Sequence, residues 1–147
     1  MSHSRIFQVS KNRVNENDRI KASDLALDVL SREIDYLDYV KDSESPRKED
    51  LEWLKDQLKR VGFELKGEKI LPSTDDSFLD EWRRECIKAA EELDLYEMAR
   101  ISSGIHFCSF YIYDKEFGYP KPLWVWAKDV LGTNQTFHIG GIIDYHY

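Results

Sequence analysis

The chain lacks long apolar runs and contains little cysteine, and each absence excludes a class of protein. Its uncharged apolar stretches are about as long as a strand, far short of the roughly 20 residues of a membrane-spanning helix. Its two cysteines, Cys86 and Cys108, have neither the number nor the spacing of a disulfide framework or a zinc site. Residues 1–5 lack the apolar stretch of a secretory signal. We therefore expect a cytoplasmic protein with no membrane segment and two buried thiols.

Phosphate-binding loops and serine nucleophile motifs are absent as well. Gly140-Gly141, the one pair of adjacent glycines, is followed neither by a helix nor by Lys-Ser/Thr, so it forms neither a dinucleotide fingerprint nor a P-loop. Ser102-Ser103-Gly104 lacks the Gly-x-Ser-x-Gly pattern that exposes a catalytic serine. The sequence therefore predicts no bound cofactor and contains no reaction signature.

Composition indicates a single soluble domain with an uneven charge distribution. Charged residues make up 33 % and aromatic residues 13 % of the chain, and no repeat or linker divides residues 1–147. The net charge is −7. Residues 24–56 carry eleven acids and five bases, and residues 74–100 carry nine acids and four bases. The first 23 residues are basic, with five bases and two acids.

The N-terminal half is predicted to contain a strand followed by a helix of ambiguous pattern. Residues 5–9 are mostly apolar and suit a short strand. Residues 24–41 have apolar residues at helical spacing, which predicts a helix. The second half of this segment, after a break near Ser31, also suits a strand because it contains β-branched and aromatic residues.

The next helix has clear signals at both ends. Ser45 is a natural N-cap, Pro46 fits the first helical position, and Gly62 can take the left-handed conformation of a C-terminal cap. Residues 63–71 follow it with apolar positions on both sides of a short polar turn. This pattern suggests a tight hairpin.

A third helix is expected to open at residues 73–76, where Ser-Thr-Asp-Asp resembles a capping box. Its apolar residues keep to one stripe at helical spacing, which predicts a core-facing helix that ends by Gly104. The predicted stripe comprises Phe78, Leu79, Trp82, Cys86, Ala89, Ala90, Leu93 and Tyr96. This helix is the predicted centre of the core.

The remaining segment, residues 105–147, is predicted to be rich in strands. It holds eleven of the nineteen aromatic residues but only seven of the 49 charged residues. Strands are expected at 105–113, 123–128 and 136–147. The predicted fold is therefore α+β, with an antiparallel sheet of four to five strands, mostly from the C-terminal half, packed against two to three helices.

The last predicted strand alternates with a period of two, which places His138, Asp144 and His146 on one polar, solvated face. Asp144 and His146 are separated by about 6 to 7 Å along the strand, close enough for the acid to orient the imidazole. His138 and His146 are about 26 Å apart along an extended strand, so no metal site is predicted. A bulge at Gly140-Gly141 would shift the phase and place His138 elsewhere.

His106 and Cys108 share one face of the strand predicted at 105–113. Phe110 and Ile112 continue that face, so the favoured interpretation is a buried neutral histidine beside a core cysteine. The alternative is catalytic: His106 and Cys108 would form a thiol and imidazole nucleophile, or His106 would join Asp144 and His146 in a hydrolase.

Aromatic residues also mark a candidate contact surface. Trp124 and Trp126 lie on one face of the strand predicted at 123–128, whose other face is apolar too. Both faces of such a strand must be covered, either by the protein's own core or by a partner. A second copy of the chain could be that partner. Phe117 and Tyr119 belong to the adjoining proline-stiffened loop and are rigid anchors of the kind that interfaces use.

The charge distribution disfavours nucleic acid as a ligand and favours a basic protein partner. We therefore expect a non-enzymatic, acidic interaction protein, such as a regulator, an inhibitor or an immunity-like protein. The alternatives are a small metal-dependent or His/Asp hydrolase that uses the C-terminal strand and a structural or assembly subunit. A further alternative is that the acidic helices are simply solvated faces with no binding role.

Overall fold

The computed structural model describes residues 3–30, 32, 34, 37–105 and 110–147. In this part of the chain, one sheet contains the strands β1 His3–Ser10, β2 Tyr39–Asp42, β3 Leu65–Lys66, β4 Lys69–Ile70, β5 Tyr111–Tyr113, β6 Pro120–Pro122 and β7 Phe137–His146. The α-helices are α1 Leu27–Leu30, α2 Arg47–Lys59, α3 Ser77–Glu91, α4 Leu95–Ser102 and α5 Leu123–Val130. None of these helices has the length and apolar character needed to cross a membrane.

The sheet confirms the α+β class but is mixed rather than antiparallel. Its strand order is β3-β4-β7-β1-β5-β6, and β2 also pairs with β7. β1 runs antiparallel to β7 and parallel to β5. The long connection between β1 and β5, which contains most of the helices, makes a parallel pair possible. The sheet is thus larger than expected, and the strand predicted at 5–9 lies in its interior.

Both faces of the central strands are covered. The larger core lies on the side of the helices and includes Phe7, Leu54, Trp82 and Ile142. A smaller cluster on the other face contains Ile6, Ile20, Leu30, Ile34, Tyr111, Ile143 and Tyr145. β1 and β7 therefore resemble the buried strands of a layered protein, in which polar side chains need internal partners.

Helix α2 confirms the predicted C-terminal cap but not the N-cap. Gly62 has a φ of +77°, and the N–H of Phe63 donates to the carbonyl of Leu58 at 3.0 Å, as in a Schellman cap. At the other end, Pro46 is the N-cap residue without a side-chain cap. The hydroxyl of Ser45 accepts instead from Arg5 at 3.0 Å.

The hairpin at 63–71 is confirmed by the pairing of β3 with β4, but the capping box before α3 does not form. The hydroxyl of Ser73 accepts from the N–H of Asp75 and donates to the carbonyl of Gly62. Asp75 in turn accepts from the N–H and hydroxyl of Ser77, which holds the pKa of its carboxyl below the usual value. Local turn hydrogen bonds thus replace the expected cap.

The predicted third helix is two helices. α3 ends at Glu91, Leu93 takes a left-handed φ of +54°, and Asp94 caps α4 by accepting from the N–H of Glu97. The apolar stripe was correct for Phe78, which is buried. The stripe was wrong for Leu93 and Tyr96, which are exposed, because α3 ends at Glu91 and the chain turns before these two residues.

Residues 123–128 were predicted as a strand and form part of α5. The segment is almost wholly apolar, and periodicity cannot distinguish a buried helix from a buried strand in so short a run. Within α5, buried residues recur three to four positions apart, at Leu123, Trp126, Ala127 and Val130. Pairing of two copies through a strand in this segment therefore has no structural basis.

The segment 24–41 contains the single turn α1 and, at its end, β2, which pairs with β7. A helix through Tyr39 was wrong, and the strand alternative is correct there. Of the strand predicted at 105–113, β5 confirms the last part, while residues 106–109 lie outside the described residues. β7 confirms the strand predicted at 136–147.

Candidate functional site

A β-bulge in β7 determines where the polar side chains of that strand lie. Phe7 faces Ile142 and Val9 faces Ile139, so the partner strand has one extra residue between these pairs. The bulge falls at Gly140-Gly141, the alternative to regular alternation in this strand, and it places both isoleucines in the larger core. Asp144 and His146 consequently lie on the face of the helices, whereas His138 lies on the opposite face.

Gln8 fills the space that the bulge creates. Its Oε1 accepts from the N–H of Gly141 and from the N–H of Ile20, each at 2.8 Å. A Cβ on Gly140 would lie 2.2 Å from that oxygen, and a Cβ on Gly141 would lie 2.3 Å from the carbonyl oxygen of Ile20. The glycine pair therefore permits a close approach of chain segments and does not form a phosphate-binding loop.

The structure brings Asp144 and His146 together but does not leave them solvated. Oδ1 of Asp144 lies 3.5 Å from Nε2 of His146, 3.4 Å from Nδ1 of His3 and 3.4 Å from Nη1 of Arg5. Asp144 is only 6 % exposed. The expected solvated face was wrong because the chain covers both faces of β7; the bulge decides only that Asp144 lies on the side of the helices.

Arg5 connects this acid to a second buried acid. Its Nε donates to Oδ1 of Asp50 at 3.2 Å, and the hydroxyl of Ser43 donates to the other oxygen of Asp50 at 2.7 Å. Asp50 and Asp144 are both buried. A buried carboxylate is tolerated when it has a cationic or hydrogen-bonding partner, so this network ties β1, β7 and α2 together.

The imidazole of His146 is held in an aromatic stack. Its ring centroid lies 4.3 Å from that of Tyr39 and 5.4 Å from that of His3, with nearly parallel planes. Neither ring nitrogen has a hydrogen-bond partner among the described residues. The acid that would orient this imidazole also faces Arg5, with Oδ1 of Asp144 3.4 Å from Nη1 of Arg5.

The other candidates for catalysis and metal binding are not assembled with this pair. His138 is partly buried on the opposite face of the sheet. His106 and Cys108 lie outside the described residues. Among the residues that the structure does describe, no three His, Cys, Asp or Glu side chains are arranged to hold a metal ion.

The two tryptophans expected to form a contact surface are core residues. Trp124 and Trp126 are each 1 % exposed. Trp124 packs against Phe78 with a centroid distance of 5.6 Å, and Trp126 packs against Phe137 at 5.2 Å. They cannot contact a partner while the protein is folded, so the core interpretation is the one that applies.

Phe117 and Tyr119 remain at the surface, each 41 % exposed. Nζ of Lys121 lies 3.7 Å from the centroid of Phe117 and 5.7 Å from that of Tyr119. The same ammonium donates to Asp129 at 2.9 Å. This aromatic loop is therefore held by cation–π contacts and an ion pair, and its outer ring surfaces are open to solvent.

The sequence did not reveal a second exposed surface, at the turn between α3 and α4. Leu93, Leu95 and Tyr96 are 78 %, 74 % and 72 % exposed. We call these three residues, together with the acidic residues beside them, the acidic corner. Its acids are Glu91, Glu92, Asp94 and Glu97. The signal that was overlooked is Asp94, an N-cap residue three positions before Glu97, which indicates a new helix start.

Leu93 occupies the position at which a helix usually ends in glycine. The N–H of Leu93 donates to the carbonyl of Ala90, and the N–H of Asp94 donates to the carbonyl of Ala89. These are the two hydrogen bonds of a Schellman cap. A leucine in this left-handed conformation costs roughly 1–2 kcal/mol, and its exposed side chain makes no core contact that would offset this strain.

Comparison with known proteins gives no match: no protein-family model, no curated protein and no solved structure is similar to this chain. The fold and surfaces define an α+β protein with a mixed sheet, a buried ionic network and an exposed acidic corner. Function is therefore inferred from the residues of this chain alone.

Proposed function

We propose that this chain is a non-enzymatic interaction protein that binds a basic protein partner through the acidic corner. The observation that carries the proposal is the exposure of Leu93, Leu95 and Tyr96 within four consecutive residues. Residues 91–97 contain four acids and no base; of these acids Glu97 is paired with Arg100, which also lies over the ring of Tyr96. A compact apolar patch with an acidic rim suits a partner that presents an apolar contact surrounded by lysine or arginine.

The energetics support such a surface as a binding site. Burial of one leucine side chain typically contributes about 1.5–3 kcal/mol, and interfaces concentrate their binding energy in a few central apolar and aromatic residues. The acids around the patch would attract a basic partner during encounter and act mainly on the association rate. The left-handed Leu93 supports the proposal further, because strained residues cluster at functional surfaces.

The aromatic loop is a second candidate contact surface for the same function. Phe117 and Tyr119 are exposed, and Lys121 holds their rings in place. Preorganised aromatic side chains lose little entropy on binding. We therefore propose that this loop adds to the contact area, while the acidic corner supplies the charge preference.

The test replaces the apolar centre of the corner. Leu93→Ser, Leu95→Ser and Tyr96→Ser are combined, with Leu27→Ser as a matched control because Leu27 is also exposed. A protein retained by the wild-type chain from a native lysate is purified, and its binding kinetics are measured. The triple variant should dissociate about tenfold faster or more, whereas the control should change by less than about twofold.

A second variant tests the charge preference. Glu91→Lys with Glu92→Lys should slow association and weaken its dependence on salt between about 50 and 500 mM, because these rim acids act at long range. If neither variant changes the binding kinetics, the acidic corner is excluded as the binding site. A wild-type dimer in light scattering that the triple variant abolishes would identify a second copy as the occupant and overturn the basic-partner proposal.

The alternative function is a small hydrolase that uses Asp144 and His146, with His106 as a further candidate. Its supporting observation is the 3.5 Å distance between the carboxylate and the imidazole. We favour it less because Asp144 is buried beside Arg5. If a hydrolytic activity is found, His146→Gln should abolish it without unfolding the protein, and an unchanged rate would remove the hydrolase alternative.

A further inference from the structure

A basic cleft lies between the N-terminal loop, the β3–β4 hairpin and the start of β7, on a protein whose net charge is −7. Its volume is about 780 Å³, within the range of small-molecule sites. Five basic side chains from three separate segments line it: Arg13, Arg19, Lys66, Lys69 and His138. None of these residues belongs to the acidic corner, so the cleft is independent of the proposed function.

The positive charge of the cleft is only partly neutralised by its lining. Glu68 is the one acid among the lining residues. It is paired with Arg47 at 2.6 Å, and the charge of Arg19 also contributes to the lowered pKa of its carboxyl. Arg13, Lys66 and Lys69 form no ion pair with any residue in the described part of the chain. Several like charges brought together without counter-charges favour a multivalent anion as the ligand.

Arg19 provides a second, independent observation. The Nε atom of Arg19 is buried and has no hydrogen-bond partner among the described residues. Buried polar groups in folded proteins are nearly always paired, and guanidinium groups bind phosphate oxygens with well-directed hydrogen bonds. The Nε atom itself is closed to solvent, but Arg19 as a whole is partly exposed and lines the cleft, so a ligand in the cleft would contact the exposed part of this side chain.

We propose that this cleft binds a small molecule that carries two or more phosphate groups. Val14 and Leu71 are partly exposed and also line it, so the same ligand can place an apolar or planar portion against them. The cations come from the N-terminal loop, the hairpin and β7 rather than from a glycine-rich loop, which explains why no phosphate-binding motif is present in the sequence.

The test is calorimetric titration of the full chain with inorganic pyrophosphate, with a nucleoside triphosphate and with the corresponding uncharged nucleoside. The two phosphate compounds should bind and the nucleoside alone should not. Arg19→Gln should weaken binding about tenfold, the effect expected of one lost charge-assisted hydrogen bond. Lys66→Gln combined with Lys69→Gln should weaken it by a similar factor, and these exposed residues can be replaced without disturbing the core.

The matched control is Lys88→Gln, an equally exposed lysine on α3 outside the cleft, which should change the affinity by less than about twofold. Failure of both phosphate compounds to bind at millimolar concentration would overturn the proposal. Equal affinity in the cleft variants and the control would overturn it as well. Much tighter binding of a single-stranded oligonucleotide through the same side chains would replace the small-molecule ligand with a nucleic acid.

Discussion

Gln8 and Gly141 are joined by a hydrogen bond in which the N–H of Gly141 donates to Oε1 of Gln8 at 2.8 Å. The same oxygen accepts from Ile20, so one side chain binds the bulge and the N-terminal loop together. Because the bulge changes which face the following residues occupy, Gln8 helps to place Asp144 on the side of the sheet that faces the helices.

Alanine at Gly141 should destabilise the protein by about 1–3 kcal/mol, the usual cost of forcing extra atoms into a packed site. The added Cβ would meet the backbone carbonyl of Ile20 at 2.3 Å, and backbone atoms cannot move aside cheaply. The three atoms nearest to a Cβ on Gly140 all belong to the side chain of Gln8. The cost of Gly140→Ala should therefore shrink in a Gln8→Ala background, while the cost of Gly141→Ala should not. Urea denaturation of the single and double variants measures both costs. Additive effects of Gly140→Ala and Gln8→Ala would contradict the proposed contact.

Replacement of Leu93 by glycine should raise stability by about 1 kcal/mol, because glycine adopts the left-handed conformation without steric strain. Leu93→Ala should change stability by less than about 0.5 kcal/mol, since the side chain is exposed. Phe78→Ala, at a buried position of α3, should cost about 3–5 kcal/mol. If Leu93 serves the proposed interface, Leu93→Gly should also weaken partner binding, so stability and affinity should change in opposite directions. A marked loss of stability in Leu93→Gly would refute this description of the α3–α4 turn.

Asp144→Asn should destabilise the protein by about 1–3 kcal/mol at neutral pH, because it removes one carboxylate from a buried ionic network and leaves Asp50 as the one acid paired with Arg5 among the described residues. Glu44→Gln is the control, since the pair that Glu44 forms with Lys41 is exposed and should contribute less than about 0.5 kcal/mol. Chemical denaturation at one pH compares them. Similar small losses in both variants would mean that Asp144 behaves as a surface residue.

Glu68 should make stability depend on pH in a defined direction. The hydrogen bonds from Arg47 hold the pKa of its carboxyl below the ordinary value of 4.5. The folded state therefore releases this proton more readily than the unfolded state, and the resulting stability is present above pH 4.5 and is lost as the pH falls through the lowered pKa. The difference between wild type and Glu68→Gln should be at most about 1 kcal/mol at pH 7, given the exposure of the pair. It should vanish in acid, and a difference that is constant with pH would exclude the charge as its cause.

Sequence reasoning succeeded where the relevant interactions are local. The strand at 136–147, the cap at Gly62 and the hairpin at 63–71 depend on residues within a few positions of each other. It failed at α5, where a run of apolar residues fits a helix and a strand equally well. It failed again at Leu93, because a helical stripe does not reveal that the chain has already turned.

The sequence by itself determined the α+β class, the bulge-forming glycine pair and the proximity of Asp144 to His146, since each follows from short-range pattern and chain geometry. Only the tertiary structure decided that Asp144 is buried, that the tryptophans are core residues and that the acidic corner and the basic cleft exist. The reason is physical. Burial of a side chain depends on what packs over it, and Arg5, Asp50 and Asp144 meet only after segments from opposite ends of the chain have paired in the sheet and α2 has packed against it.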